Sequence, residues 1–162
     1  MWSPRQRILV PIDFSEQSRT ALSVALEIAG SNGQDPKGRA VGDLIAVIHV
    51  LPDLSPAEPG KLWNTVSPAP RIEHATTALK DWLKQGDQEL DAVEVCIGDP
   101  ATEICRAASE RGADLIVLPS HGRTGMKRLL IGSVAERVVR LAPCPVLVLR
   151  HFQMPAQEPD NS

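Results

Sequence analysis

Four short apolar runs constrain the fold more than any other feature of the chain: Ile8-Leu9-Val10, Leu44 to Val50, Leu115 to Leu118, and Val146 to Leu149. They are near-continuous rather than alternating, the pattern of parallel strands covered on both faces. A fifth run, Val93-Glu94-Val95-Cys96-Ile97, alternates more and suits an exposed edge strand. Helical periods lie between the runs. Residues 15–30 put Ala21, Leu22, Ala25, Ile28 and Ala29 on one face with Ser15 as N-cap, and residues 71–84 repeat this with Ile72, Ala75, Leu79, Trp82 and Leu83. Asp99-Pro100 predicts the cap and first turn of a helix that ends near Gly112. Ser133 to Glu136 reads as a capping box, with Val134, Val138 and Leu141 as the apolar stripe behind it.

The resulting order, β-α-β-α-β-α-β-α-β, predicts a single doubly wound, Rossmann-like α/β domain with right-handed crossovers. At 162 residues the chain suits one domain. That domain is expected over residues 1–150, followed by a flexible C-terminal tail at 151–162. Residues 30–43, with four glycines, and residues 52–70, with five prolines around Trp63, read as surface loops.

Composition excludes several classes. Seventeen Lys+Arg against twenty Asp+Glu give a net charge of −3, so no basic excess exists to neutralise a phosphate backbone. Three Trp, two Phe and no Tyr leave little to stack on exposed bases, so no nucleic-acid partner is expected. Cys96, Cys105 and Cys144 are odd in number and lack the spacing of a zinc site. The first residues lack the apolar run of a signal peptide, and no apolar stretch reaches membrane-spanning length. A cytoplasmic protein with reduced thiols and no membrane partner is the expectation.

In open α/β sheets, ligands bind beyond the carboxyl ends of the strands, at the switch point of the topology. The first strand runs into Pro11-Ile12-Asp13-Phe14-Ser15, the second ends at His49-Val50, and the fourth runs into Pro119-Ser120-His121-Gly122-Arg123-Thr124-Gly125. Gly132-Ser133 then opens a helix. Glycines admit close backbone approach, and a helix N-terminus offers unpaired N–H groups to a phosphate. Gly122, Gly132 and Ser133 meet that demand, although Ser133 also serves a cap and Gly122 or Gly125 a turn. Neither a G-x-x-x-x-G-K-[ST] loop nor a G-x-G-x-x-G fingerprint occurs.

These residues carry a resemblance. Ile8 to Ser15 at the front, with Asp114 through Ser120-His121-Gly122, Gly132-Ser133 and Pro143-Cys144-Pro145-Val146-Leu147-Val148 at the back, resemble the universal stress protein family over residues 7–150. The family pattern is glycine, two residues, glycine, nine residues, glycine, then serine or threonine. Here Gly122, residues 123–131 and Gly132-Ser133 match it, but Pro119 stands where the first glycine belongs. The resemblance is to the ATP-binding subgroup, in which this pattern wraps ribose and phosphates. It implies a five-stranded parallel sheet of order 3-2-1-4-5 flanked by helices, and a homodimer joined through the last strand, Val146 to Leu149. It also implies that Pro11, Ile12 and Asp13 line a nucleotide cleft and that Val50 touches adenine. Ser120, His121, Gly122, Gly132, Ser133 and Val134 would hold ribose and triphosphate. The implied function is ATP binding in a regulatory stress-response protein, with Mg²⁺ or Mn²⁺ as candidate companion ions and weak hydrolysis at most.

Each residue also has a plainer reading. Asp13 fits an acid at a helix entry, and Arg123, Lys127 and Arg128 fit a solvated basic face as well as a phosphate loop. His121 has no visible nucleophile or paired carboxylate, so it reads as a positioning group. Cys144, between two prolines, reads as buried, as do Cys96 and Cys105. A non-nucleotide interaction module of the same fold, its cleft partly closed by Pro119, is the alternative function. A response-regulator receiver is set aside: it needs an acidic pair after the first strand, a phospho-acceptor Asp after the third, and a lysine after the fifth.

Overall fold

The structure, a computed structural model, describes residues 7–31, 41–54, 67–121 and 131–150. Gly122, Arg123, Gly125, Lys127, Arg128, Trp63 and the tail lie outside the described residues. Strands β1 (Ile8–Pro11), β2 (Ile45–Leu51), β3 (Ala92–Ile97), β4 (Leu115–Pro119) and β5 (Val146–Leu149) alternate with helices α1 (Glu16–Ser31), α2 (Pro68–Gln85), α3 (Pro100–Glu110) and α4 (Ser133–Leu141). The five strands form one parallel sheet in the order β3-β2-β1-β4-β5, as expected.

The near-continuous apolar runs are explained by two cores. Ile8, Val10, Val47, Leu115 and Val117 pack with Ala21, Leu22 and Ala25 of α1 and Leu79 and Leu83 of α2. Leu9, Ile48, Ile116 and Leu118 face the other way, onto Ala101, Ile104 and Ala108 of α3 and Ala135 and Val138 of α4. Strands β1 and β4 therefore have no solvent face for polar residues to occupy. At the edge, every residue of β3 is half-buried. Its Glu94 meets Arg106 at 2.6 Å and Arg111 at 2.9 Å, and a charge of this kind discourages a further strand from pairing there.

Caps fix the helix ends. The Ser15 hydroxyl accepts from the N–H of Ser18 at 3.1 Å, the expected cap of α1. Asp99 accepts from the N–H and the hydroxyl of Thr102 at 3.0 and 2.7 Å. Beyond α3, Gly112 takes φ +58, while Gly112 N–H donates to Ser109 and Ala113 N–H to Ala108. That is a Schellman end, which needs the left-handed conformation glycine provides. Helix α2 starts three residues earlier than its apolar period suggests, because the first turn tolerates Pro68 and Pro70.

Two expectations about α4 are corrected. The capping box is absent: Gly132 is the N-cap, with no side-chain cap bond, and Ser133 is already the first helical residue. The cause is the 2.6 Å bond from Gly132 N–H to the Ser120 carbonyl, which holds Gly132 extended, while Glu136 N–H closes the first turn on the Gly132 carbonyl. The buried stripe is Ala135 and Val138, whereas Val134 is 37% and Leu141 55% exposed. The helix is apolar over a wider arc than the sheet covers, and the small Ala135 faces inward in place of Val134.

Candidate functional site

The crevice lies where β1 and β4 part. They pair only at Ile8–Leu115 and Leu9–Ile116, yet β1 runs on to Pro11 and β4 to Pro119. Ile12 N–H donates to Ile48 of β2, and Ser120 N–H donates to Leu149 of β5. By alternation, the nitrogens of Pro11 and Pro119 both face the gap between β1 and β4. Neither carries a hydrogen, so neither can extend the ladder across it. Pro119 therefore costs the sheet no bond. The chain also leaves β1 toward α1 and β4 toward α4, helices on opposite faces, which makes this gap the topological switch point.

The first lip of the crevice is β1 and the turn after it. Asp13 accepts from Ser15 N–H at 3.0 Å and from the Ser15 hydroxyl at 2.5 Å, so its carboxylate organises the entry to α1. Phe14 has φ 64, uncommon for a residue with a bulky side chain. Its ring meets that of His49 edge-on at 4.6 Å and that of Trp82 at 6.1 Å. The sequence places His49 at a strand end, but with no role. Its Nδ1 lies 2.7 Å from the Ile12 carbonyl, an acceptor only, so Nδ1 carries a proton and donates. Ile12 thus has its N–H and carbonyl engaged and its side chain in the α1–α2 core. Val50, from β2, packs on the opposite core, beside α3 and α4.

The second lip is the end of β4 and the start of α4. Ser120 is 3% exposed, and its hydroxyl sits 3.1 Å from Nδ1 of His121. The His121 Nε2 is buried and has no hydrogen-bond partner among the described residues. A β-carbon on Gly132 would come within 2.9 Å of the Ser120 carbonyl and 3.9 Å of His121 Cδ2, so only glycine allows this approach. The N–H groups of Ser133, Val134 and Ala135 start α4 and have no intrahelical acceptor. In α1 and α3 a side-chain oxygen covers one of the corresponding groups; in α4 the N-cap is Gly132, and no side chain among the described residues does so. Nearby, the Asp99 carboxylate takes a 2.7 Å bond from Arg137, tying α3 to the second turn of α4. That bond, with those from Thr102, holds the Asp99 carboxyl well below its ordinary range.

Other chemistry is disfavoured by the same geometry. The buried Ser120 hydroxyl cannot meet a substrate carbonyl, so its closeness to His121 does not make a nucleophile. Burial pushes the Cys96 thiol up to about 11 and raises that of Cys105 as well, so neither supplies a thiolate at neutral pH. Among the described residues no group of three or more His, Cys, Asp or Glu is arranged to hold a metal ion. Nor is any described helix long and apolar enough to cross a membrane. A cavity of about 260 Å³ opens at the opposite end of the sheet, near Arg7, Asp43 and Arg111. Its cations are engaged, Arg7 with the Arg111 carbonyl and Arg111 with Glu94.

Of the residues expected to form the site, Pro11 and Asp13 lie at and just beyond the end of β1, Ser120 and His121 just beyond β4, Gly132, Ser133 and Val134 at the start of α4, and Val50 near the end of β2. The Ile12 side chain packs in the α1–α2 core, and Gly122 is outside the described residues.

The family model described as the universal stress protein family matches residues 4–150. Universal stress protein MJ0531 of Methanocaldococcus jannaschii is 36% identical, over 90% of this chain and 82% of that protein. Universal stress protein YxiE of Bacillus subtilis is 47% identical, over 89% and 98%. Among solved structures, hypothetical protein MJ0577 superposes with a TM-score of 0.66 at 22% identity, covering 94% of this chain and all of that one. A universal stress protein in complex with cAMP superposes at 0.57 and 21% identity, covering 93% and 100%. At these identities the two superpositions speak for the fold.

Proposed function

Since the chain belongs to the universal stress protein family, we propose that it is an ATP-binding stress-response protein whose nucleotide sits in the crevice between β1 and β4. The observation that carries this reading is the uncapped start of α4. Gly132 is drawn beneath the Ser120 carbonyl, and three N–H groups with no capping side chain among the described residues, together with the positive end of the helix dipole, suit an anion. Phosphates would lie there against the N–H groups of Ser133, Val134 and Ala135, with Gly132 admitting close approach, and the family resemblance adds Gly122 to this group. The ribose and adenine would lie toward Pro11, Asp13 and Val50. The complex of a family structure with cAMP supports an adenine nucleotide as the ligand class. Mg²⁺ or Mn²⁺ would arrive on the phosphates, in keeping with the way Mg²⁺ accompanies nucleotides. The family resemblance implies weak hydrolysis at most. The protein acts as a homodimer joined along β5.

Mass spectrometry of protein purified rapidly without added ligand tests the reading. A retained adenine nucleotide, one per chain at most, is expected. Protein that carries none, and that takes up none when incubated with millimolar Mg-ATP, would instead favour an interaction module of the same fold.

A further inference from the structure

The turn that carries Asp13 from β1 to α1 is held by three elements. Phe14 takes φ 64, a left-handed backbone that a bulky side chain rarely adopts and that persists only where its surroundings fix it. Its ring meets two others, those of His49 from β2 at 4.6 Å and Trp82 from α2 at 6.1 Å. Arg19 of α1 closes the cluster: its guanidinium lies 3.9 Å from the centre of the Trp82 ring and donates to the Trp82 carbonyl at 3.3 Å. On the other side of Asp13, the Ile12 N–H donates to the Ile48 carbonyl, and the Ile12 carbonyl accepts from His49 Nδ1 at 2.7 Å. His49 therefore touches the residues on both sides of Asp13, one by a hydrogen bond and the other by its ring.

We propose that His49 is a positioning residue for the nucleotide: it holds the left-handed turn at Phe14 and so sets where the Asp13 carboxylate stands. The Nδ1–H bond fixes the Ile12 carbonyl, and the ring backs Phe14, so the backbone between them keeps one arrangement. The carboxylate it carries also accepts from Ser15 N–H at 3.0 Å, which joins the same turn to the start of α1. The inference rests on the nucleotide reading above, in which ribose and base lie toward Asp13, and it gives His49 no contact with the ligand itself.

The test is a mutant cycle read by calorimetry with Mg-ATP, on native protein, His49→Phe, His49→Asn, Asp13→Ala and the double variant of His49→Phe with Asp13→Ala. His49→Phe keeps a ring against Phe14 and loses the donor. His49→Asn sets an amide N–H near the place of Nδ1 and loses the ring. His49→Phe should weaken ATP binding by up to about tenfold, the range of one ordinary hydrogen bond, and His49→Asn should recover part of that loss. In the double variant the loss should equal that of Asp13→Ala alone, because a residue that acts through Asp13 has nothing left to position. Losses that add in the double variant, or no loss in His49→Phe, would overturn the inference and leave the nucleotide reading in place. Two measurements need no ligand. Nitrogen-15 NMR of the native protein should show His49 protonated at Nδ1; a ring protonated at Nε2 alone would overturn the inference even if neither His49 variant folds. Amide exchange at Ser15, whose N–H is held by Asp13, should be faster in His49→Phe than in the native chain. If the native chain binds no ATP, the nucleotide reading falls, and unchanged exchange at Ser15 would overturn the inference with it. Faster exchange would then sustain His49 as the residue that sets the Asp13 turn.

Discussion

At the scale of single residues, the crevice is kept open by groups that cannot bond across it. Pro11 and Pro119 turn hydrogen-free nitrogens toward each other where β1 and β4 stop pairing. Pro119 therefore suits the sheet but withholds a donor from the ligand. Calorimetry should find that Pro119→Gly binds Mg-ATP more tightly, by up to about tenfold, the worth of one ordinary hydrogen bond. Equal or weaker binding would show that the missing N–H is irrelevant to the ligand. Asp13 has two tasks, since its carboxylate also organises Ser15 at the entry to α1. Asp13→Ala should both weaken ATP binding and cost about 1 kcal/mol of stability in denaturant, a typical loss for a capping group. Loss of stability alone would assign Asp13 to the helix entry. That dual role was legible as two alternatives. His49 was legible only as the end of the second strand, because nothing in a β2 residue's identity tells that its Nδ1 will reach the Ile12 carbonyl.

At the scale of elements, local rules succeeded where a cap depends only on its own helix. Ser15 and Asp99 are recognisable from a few neighbouring residues, and both cap as expected. Ser133 to Glu136 has an equally good local signature, and it failed. A contact twelve residues away, Gly132 to Ser120, sets the start of α4 and moves Ser133 into the helix. The start of α4, where we propose the phosphates sit, is thus the part that local pattern misread. The same scale explains the β3 edge. Burial raises the Glu94 carboxyl, but the hydrogen bonds from Arg106 and Arg111 outweigh it and hold the group below its ordinary value. A carboxyl lowered on folding contributes stability above its unfolded pKa and loses it as pH falls toward the folded one. Glu94→Gln should therefore cost about 1 kcal/mol near pH 7, and the gap to native should close as pH drops below about 4.5. Urea melts at several pH values would check this; a gap independent of pH would remove the ion pairs from the account.

At the scale of the molecule, the two sheet edges differ in kind. The β3 edge carries the ion-paired Glu94. The β5 edge is Val146-Leu147-Val148-Leu149, with Val134, Val139 and Leu141 of the α4 that precedes it exposed. An apolar edge of this kind invites another strand, and a second copy related by a two-fold axis would close it. Sedimentation at tens of micromolar should give a dimer for the native chain and a monomer for Val148→Lys. A native monomer, or a mutant of unchanged mass, would rule this edge out. The sheet order was legible through the family resemblance and the layering through the apolar runs, since burial on both faces leaves so plain a trace. The central claim remains the crevice, and calorimetric titration of native protein and Gly132→Val with Mg-ATP addresses it most directly. A side chain at 132 would meet the Ser120 carbonyl at 2.9 Å and displace the start of α4 from the site. The account predicts one ATP per native chain and at least about tenfold weaker binding in the variant, with helical circular dichroism retained. Equal affinity in the two proteins, or no binding by the native chain, would contradict it.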